Sequence, residues 1–448
     1  MTYIPNTDAN RKSMMETIGI SSVEDLLTVI PPDLRLTHPL DLPPALSELE
    51  LQDLLSEMAD ENMGADKAIS FVGGGMYDHF IPSAIKHLVS RSEYLTSYTP
   101  YQPEVSQGTL QGIYEFQSMI CELTGLDVSN ASMYDGASAA AEAMMMACAI
   151  KKRDQVLVAG SLHPHYLSTI KTYAHGPGLS VQTVPCPEGR IDPDQFKSHL
   201  SEKTACLLVQ HPNFFGNLEA MAEIEKCVHE VGALLVMIVD PISLGLIKSP
   251  GDYGADIAVG EGQALGNAVS FGGPALGFFA AKESFVRRMP GRIAGQTVDQ
   301  HGQRGFVLTL QAREQHIRRD KATSNICTSQ QLNALMATIY LAMMGKAGIR
   351  KVADLCLQKS HYAANQINAL PGYNLRFKLP FFKEFVIETP QDPSVIIHKL
   401  SKENILAGVS LHRFPQLNVD NGLLIAVTER RTRAQIDTLV DALGRCSL

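Results

Sequence analysis

The sequence predicts an α/β protein with a large, mostly parallel sheet, a small α+β domain at its C-terminus and an arm at its N-terminus. Three observations carry this. Apolar runs of strand length recur between about residues 66 and 325: QVLVAG (155–160), SVQTVPC (180–186), ACLLVQ (205–210), ALLVMIVD (233–240) and DIAVG (256–260). Helical stretches such as LEAMAEIEKCVHEVG (218–232) separate them, and strands apolar on both faces joined by helices belong to a sheet covered on both sides. Outside this region the pattern changes twice.

Residues 1–65 carry IPPDLRLTHPLDLPPALSELE, where prolines punctuate short helical patterns and no core strand appears; this is the expected arm. The large domain is expected over 66–328. A long helical stretch from about Ser329 to Asn368 then leads into EFVIETP (384–390), LLIAVTE (423–429) and a last helix opened by a capping box, Thr432 with Gln435. Together 329–448 read as the connecting helix and small domain. The chain shows no internal repeat and no low-complexity segment.

The chain has 448 residues, 45% hydrophobic and 19% charged, with a formal net charge of −9. An acidic balance argues against nucleic acid or an anionic membrane surface, both of which reward basic patches. No apolar run is expected to reach a membrane span, and MTYIPNTDANRKSMM has no signal-like apolar region, so the cytoplasm is expected. The eight cysteines form no CxxC pair and no Cys/His cluster at ligand spacing, which points to free thiols and to no metal.

Ligands of a parallel α/β sheet bind at the carboxyl ends of its strands, so the residues just past each strand carry the chemistry. MYDGASAAAEAMMMA (133–147) opens an alanine-rich helix with Gly136, Ala137 and Ser138, whose N–H groups and hydroxyl can hold a phosphate or simply cap the helix. Asp135 beside them would repel an anion or take its place. GSLHPHYLSTI (160–170) offers His163, His165 and Tyr166 for stacking on a flat ring, and ALLVMIVD ends in Asp240, able to hold a pyridinium nitrogen protonated. A lone histidine or strand-end aspartate is more often structural.

Phosphate loop, stacking residue and strand-end aspartate, followed about two dozen residues later by a glycine-rich turn, is the layout of pyridoxal-phosphate-dependent fold type I, with its large, mostly parallel seven-stranded-type sheet. In that layout the turn carries the cofactor-binding lysine. Here DIAVGEGQALGNAVSFGGPALGFFA (256–280) places Gln263 there, and an amide cannot form the covalent link. Lys248, eight residues past Asp240, is too close to reach back across the sheet, and Lys321 sits beside Arg318 and Arg319. FVGGGMYDHF (71–80) lacks the GxGxxG and acidic residue of a dinucleotide site.

Longer strings carry a more specific resemblance. YIPNT, LDLPPALSE, YDHFIP (77–82), RSEYLTSYTPYQPEVSQGTLQGIYEFQSMICELTGLDV (91–128), NASMYDGAS (130–138), HPNFFGNLE (211–219), EGQALGNAVSFGGPALGF (261–278), MPGRIAGQTVDQHGQRGFVLTLQAREQHIRRDKATSNICT (289–328) and VTERRT (427–432) resemble the P-protein family of the glycine cleavage system, with coverage from residue 3 to about 432. The resemblance is to the half that lacks the lysine. It implies an oxidoreductase subunit working with a partner half, subunit 2, as an α2β2 heterotetramer. The partner holds pyridoxal phosphate covalently, glycine loses CO2, and the aminomethyl group passes to the lipoyl arm of H-protein. A self-sufficient pyridoxal phosphate lyase or aminotransferase with another lysine, and a purely structural scaffold, are the alternatives.

Two segments are implicated at the partner's active site. YTPYQPEVSQG (98–108) is too rigid and polar for a core, which places Tyr98, Tyr101, Glu104 and Gln107 at the subunit contact unless it is a plain surface loop. For KATSNICT (321–328), the resemblance implies that Thr323, Ser324 and Asn325 reach the phosphate of the partner's cofactor, while capping of the following helix stays open. Gly136, Ser138, His163, Asp240 and Gln263 are then the vestigial site.

Overall fold

The computed structural model describes residues 5–64 and 67–446. The chain forms two compact units, Met1–Met63 and Gly64–Leu448.

In the first unit, helix Asp8–Ile18 is capped by Thr7 and helix Glu48–Asp60 by Ser47, each through a capping box. Two 3-10 turns, Val23–Val29 and Pro32–Leu34, lie between them. No described residue of this unit is buried; Val29, Leu34 and Leu42 are all more than two-thirds exposed.

The second unit is built on seven strands: β1 Val128–Ser129, β2 Gln155–Ala159, β3 Ser180–Val184, β4 Thr204–His211, β5 Leu234–Val239, β6 Ile257–Glu261 and β7 Gly277–Ala281, in the spatial order β1-β7-β6-β5-β4-β2-β3. Strands β3, β2, β4, β5 and β6 are parallel, whereas β7 is antiparallel to β6 and to β1. The central strands are apolar throughout and buried on both faces, as parallel strands under helices must be; edge strand β3 is mostly exposed. All five strand expectations and the last helix's capping box, Thr432 with Gln435, are met.

A second, four-stranded sheet is ordered Asn374–Leu375, Glu384–Glu388, Gly422–Ala426, Val409–Ser410. The helix Gln331–Asn368 runs beneath it and beneath the large sheet, with a break at Gly345, where φ is 57°. By length and composition this helix is apolar enough to cross a bilayer, contrary to the expectation that no run would be. Its apolar residues have another use: Ala337, Tyr340, Ile349, Ala353 and Cys356 pack into the core of the large sheet. One hairpin escaped the sequence pattern, Ile293–Val298 with Arg304–Thr309, which packs on helix Gln107–Thr124.

Candidate active site

The carboxyl ends of β2, β4, β5 and β6 open on one mouth, and the chain's own segment 71–80 occupies it. The segment is delivered by Ile69–Ser70, which pairs in parallel with Ile405–Leu406 beside the second sheet. Gln263 then clamps it: the side-chain oxygen accepts from Tyr77 N at 2.9 Å, and Nε2 donates to Tyr77 O at 3.1 Å and to Asn267 O at 2.7 Å. The amide is buried with both ends paired, so the position that would bear a lysine is a backbone clasp.

The phosphate position is filled by acids. Asp135 caps helix Gly136–Lys151, its Oδ1 accepting from Ser138 N at 2.6 Å, and Ser138 Oγ accepts from Asp135 N in return. Glu261 takes the next amide, Oε2 accepting from Gly136 N at 3.0 Å, while Oε1 accepts from Gln263 N and Leu276 N. Burial pushes the Glu261 carboxyl up to about 7. A Cβ at Gly136 would run into the Tyr166 hydroxyl, so the glycine there serves close packing. The N–H groups that would cradle an anion already face two carboxylates.

Stacking and ring-nitrogen positions are likewise satisfied from within. His163 stacks on Tyr166, centroids 5.0 Å apart, and Nε2 donates to Gly74 O at 2.7 Å, which leaves Nδ1 to accept from His165 N. Burial holds the imidazole neutral, down to about 4. Asp240 Oδ2 pairs with Lys383 Nζ at 2.6 Å, and that ammonium sits 3.5 Å from the Tyr77 ring centre. Tyr77 donates to Glu384 Oε2 at 2.6 Å, and Gly74 N donates to Glu384 Oε1 at 2.7 Å. Burial raises the Glu384 carboxyl to about 7.

A cavity of about 30 Å³ remains between Gly75, Tyr77, Asp240 and Glu261. That admits a water or two, where a cofactor-sized ligand requires roughly 300 Å³ or more. Pyridoxal phosphate does not fit this mouth: the amine is absent, the phosphate donors are taken, the ring space is Tyr77 and the aspartate has its own cation. Lys248 and Lys321 are exposed and line no part of the cavity. His79, Cys356 and Glu429 also converge nearby. Lys383, which can only donate, bonds His79 Nε2 at 3.0 Å, so His79 Nδ1 carries its proton toward Glu429 at 2.6 Å and the trio is a hydrogen-bond network.

Of the other expected residues, Tyr98 is 78% exposed and Glu104 is exposed, while Tyr101 is 48% exposed and its hydroxyl accepts from Arg292 at 2.9 Å. Gln107 is exposed, and its amide is bonded to Phe306 N and O on the hairpin, both at 2.8 Å. In 321–328, Thr323 is half-buried and Asn325 exposed; Ser324 Oγ accepts from Ile326 N at 3.1 Å. None of them caps the next helix, which starts at Gln331 with Gln330 as its uncapped N-cap. Sequence reasoning missed Glu261, Lys383, Glu384 and Tyr77; Glu261 alone had a local signal, as the acid two residues before Gln263 at a strand end.

Residues 1–443 match the sequence profile of the family described as Glycine cleavage system P-protein. The chain is 54% identical to the probable glycine dehydrogenase (decarboxylating) subunit 1 of Desulforamulus reducens, over 100% of both chains. It is equally 54% identical to that of Carboxydothermus hydrogenoformans, over 99% of both. A crystal structure of glycine decarboxylase (P-protein) of the glycine cleavage system, in inhibitor-bound form, superposes with a TM-score of 0.91 at 42% identity, covering 99% of this chain and 100% of that one. A sphingosine-1-phosphate lyase from Burkholderia pseudomallei, 14% identical with a TM-score of 0.66 over 92% of this chain and 93% of its own, shows the fold alone, pyridoxal-phosphate fold type I.

Proposed function

As the chain belongs to the glycine cleavage system P-protein family and acts as one subunit of a glycine-decarboxylating enzyme, we propose that it builds one wall of an active site whose cofactor is held covalently by a lysine of subunit 2. The observation that carries this is the Gln263 clasp, together with Asp135 and Glu261 in the phosphate position. A fold that has filled its own cofactor site contributes at its edge.

On this proposal the group bound to the partner supplies the electron sink for loss of CO2 from glycine, and the aminomethyl group leaves on the lipoyl arm of H-protein. This chain's residues position and enclose. Thr323, Ser324 and Asn325, with no helix to cap, would donate to the phosphate of the partner's cofactor, Ser324 by giving up its hydrogen bond to Glu142. Tyr98, Tyr101 and Glu104 stand exposed on the segment that would border the entry path, with Tyr101 held by Arg292. The assembly is α2β2 and cytoplasmic; the eight free cysteines suit a reducing compartment.

Co-expression with subunit 2 tests this. The chain alone should remain colourless with pyridoxal phosphate, and the co-purified heteromer should be yellow and release CO2 from glycine with lipoylated H-protein. A yellow, active preparation of this chain alone would refute the proposal.

A further inference from the structure

We propose that the cleft between the edge strand β3 and the second sheet is a binding site for a small organic monoanion with a flat or branched apolar body. The cleft holds about 720 Å³, within the range of small-molecule sites. It lies between the helix Pro164–His175, the end of β3 and the turn Pro415–Leu417, its lining residues Leu162 and Pro164 flanking the His163 of the filled mouth.

Its lining is amphipathic in a particular way. Phe215 and Phe377, ring centroids 4.9 Å apart, and Leu417 make an apolar floor. No Asp or Glu lines it, whereas two cations do, Lys171 and Arg376. Arg376 is partly neutralised by Glu388 at 3.1 Å and lies over the Phe377 ring. Lys171 is exposed and makes no hydrogen bond or ion pair among the described residues. One cation unpaired and one shared match a single carboxylate or sulfonate; a phosphate dianion would be under-compensated. The apolar floor favours a hydrocarbon or aromatic body over a sugar-like one.

The test uses the assembled heteromer and 2-naphthoate as probe, with neutral 2-naphthamide as control, followed by calorimetry or ligand-observed NMR. The expected result is saturable binding, one probe per copy of this chain, with Kd at or below about 1 mM. Affinity should fall about tenfold with the amide and about tenfold in Lys171→Met, a change at an exposed site that leaves folding intact. Leu417→Trp, which fills the floor, should abolish it. No saturable binding to the wild type, equal binding of the amide, or binding unchanged in both variants would each overturn the proposal. Glycine decarboxylation is not the readout, so the result stands apart from the functional proposal above.

Discussion

The Lys383 ammonium stands 2.6 Å from the Asp240 carboxylate, joining the four-stranded sheet to the mouth of the seven-stranded one. Both groups are nearly buried, at 2% and 13% side-chain exposure, so each is the other's main source of charge compensation. Breaking such a pair from one side leaves a buried charge alone. Lys383→Met should therefore destabilise the protein by on the order of 3–5 kcal/mol, and adding Asp240→Asn should recover part of that. Urea unfolding of the two variants and the double variant checks this; equal stability of Lys383→Met and wild type would show that the pair contributes nothing.

Gln263→Lys should not install a cofactor. The new amine would face a cavity of about 30 Å³ and a phosphate position already held by Asp135 and Glu261. It would also leave Tyr77 N without an acceptor, which costs about 1–3 kcal/mol. Incubation with pyridoxal phosphate followed by borohydride should give no stable adduct at position 263 by peptide mass. A reducible adduct there with glycine decarboxylation by this chain alone would contradict the account.

Thr323→Val distinguishes a cofactor contact from a structural role. The helix it was positioned to cap begins eight residues later, at Gln331, so the loss of the hydroxyl should leave the melting temperature of the heteromer unchanged when cofactor is saturating. The cofactor concentration that restores activity after dialysis should rise, by about tenfold for one lost hydrogen bond to a charged group. An unchanged cofactor requirement would remove Thr323 from the site.

Glu384 gives the protein a measurable pH signature. Its carboxyl is raised by burial from 4.5 to about 7 in the folded state, so between those values the folded protein binds more protons than the unfolded chain. Stability from this group is full below about pH 4.5 and is lost as pH rises toward 7. Glu384→Gln should remove that slope, and the stability difference between wild type and variant should shift against the wild type by on the order of a few kcal/mol from pH 4.5 to 7. Parallel denaturation curves at several pH values decide it; a difference that is flat with pH would place the proton elsewhere.

The sheet was legible because a buried parallel strand has a local signature: LLVMIV at 234–239 announces itself without its neighbours. Gln263 was legible for a similar reason, as a strand, a glycine-rich turn and a missing lysine lie within one short stretch. What fills the mouth was not. Tyr77 meets Gln263 across 186 residues and Glu384 across 307, and no periodicity links such partners. FVGGGMYDHF looked like a weak glycine loop because its glycines serve close approach to a site built elsewhere; a Cβ at Gly75 would stand 3.2 Å from the His163 ring. The hairpin at 293–309 escaped because GQTV and RGFV carry too few apolar positions to read as strands before their packing on helix Gln107–Thr124 is known.

The arm's lack of any buried residue bears on how the protein behaves at low concentration. Leucines at 26, 27, 34, 36, 40, 42 and 46 are all in contact with solvent in the isolated chain. A segment with no interior has no cooperative melting transition of its own, and in the heteromer proposed above, where a partner surface would cover it, its order would follow mass action. Dilution should thus expose it to limited proteolysis while the Gly64–Leu448 unit stays intact, and the length of the surviving fragment would report how much of the chain is covered at any given concentration.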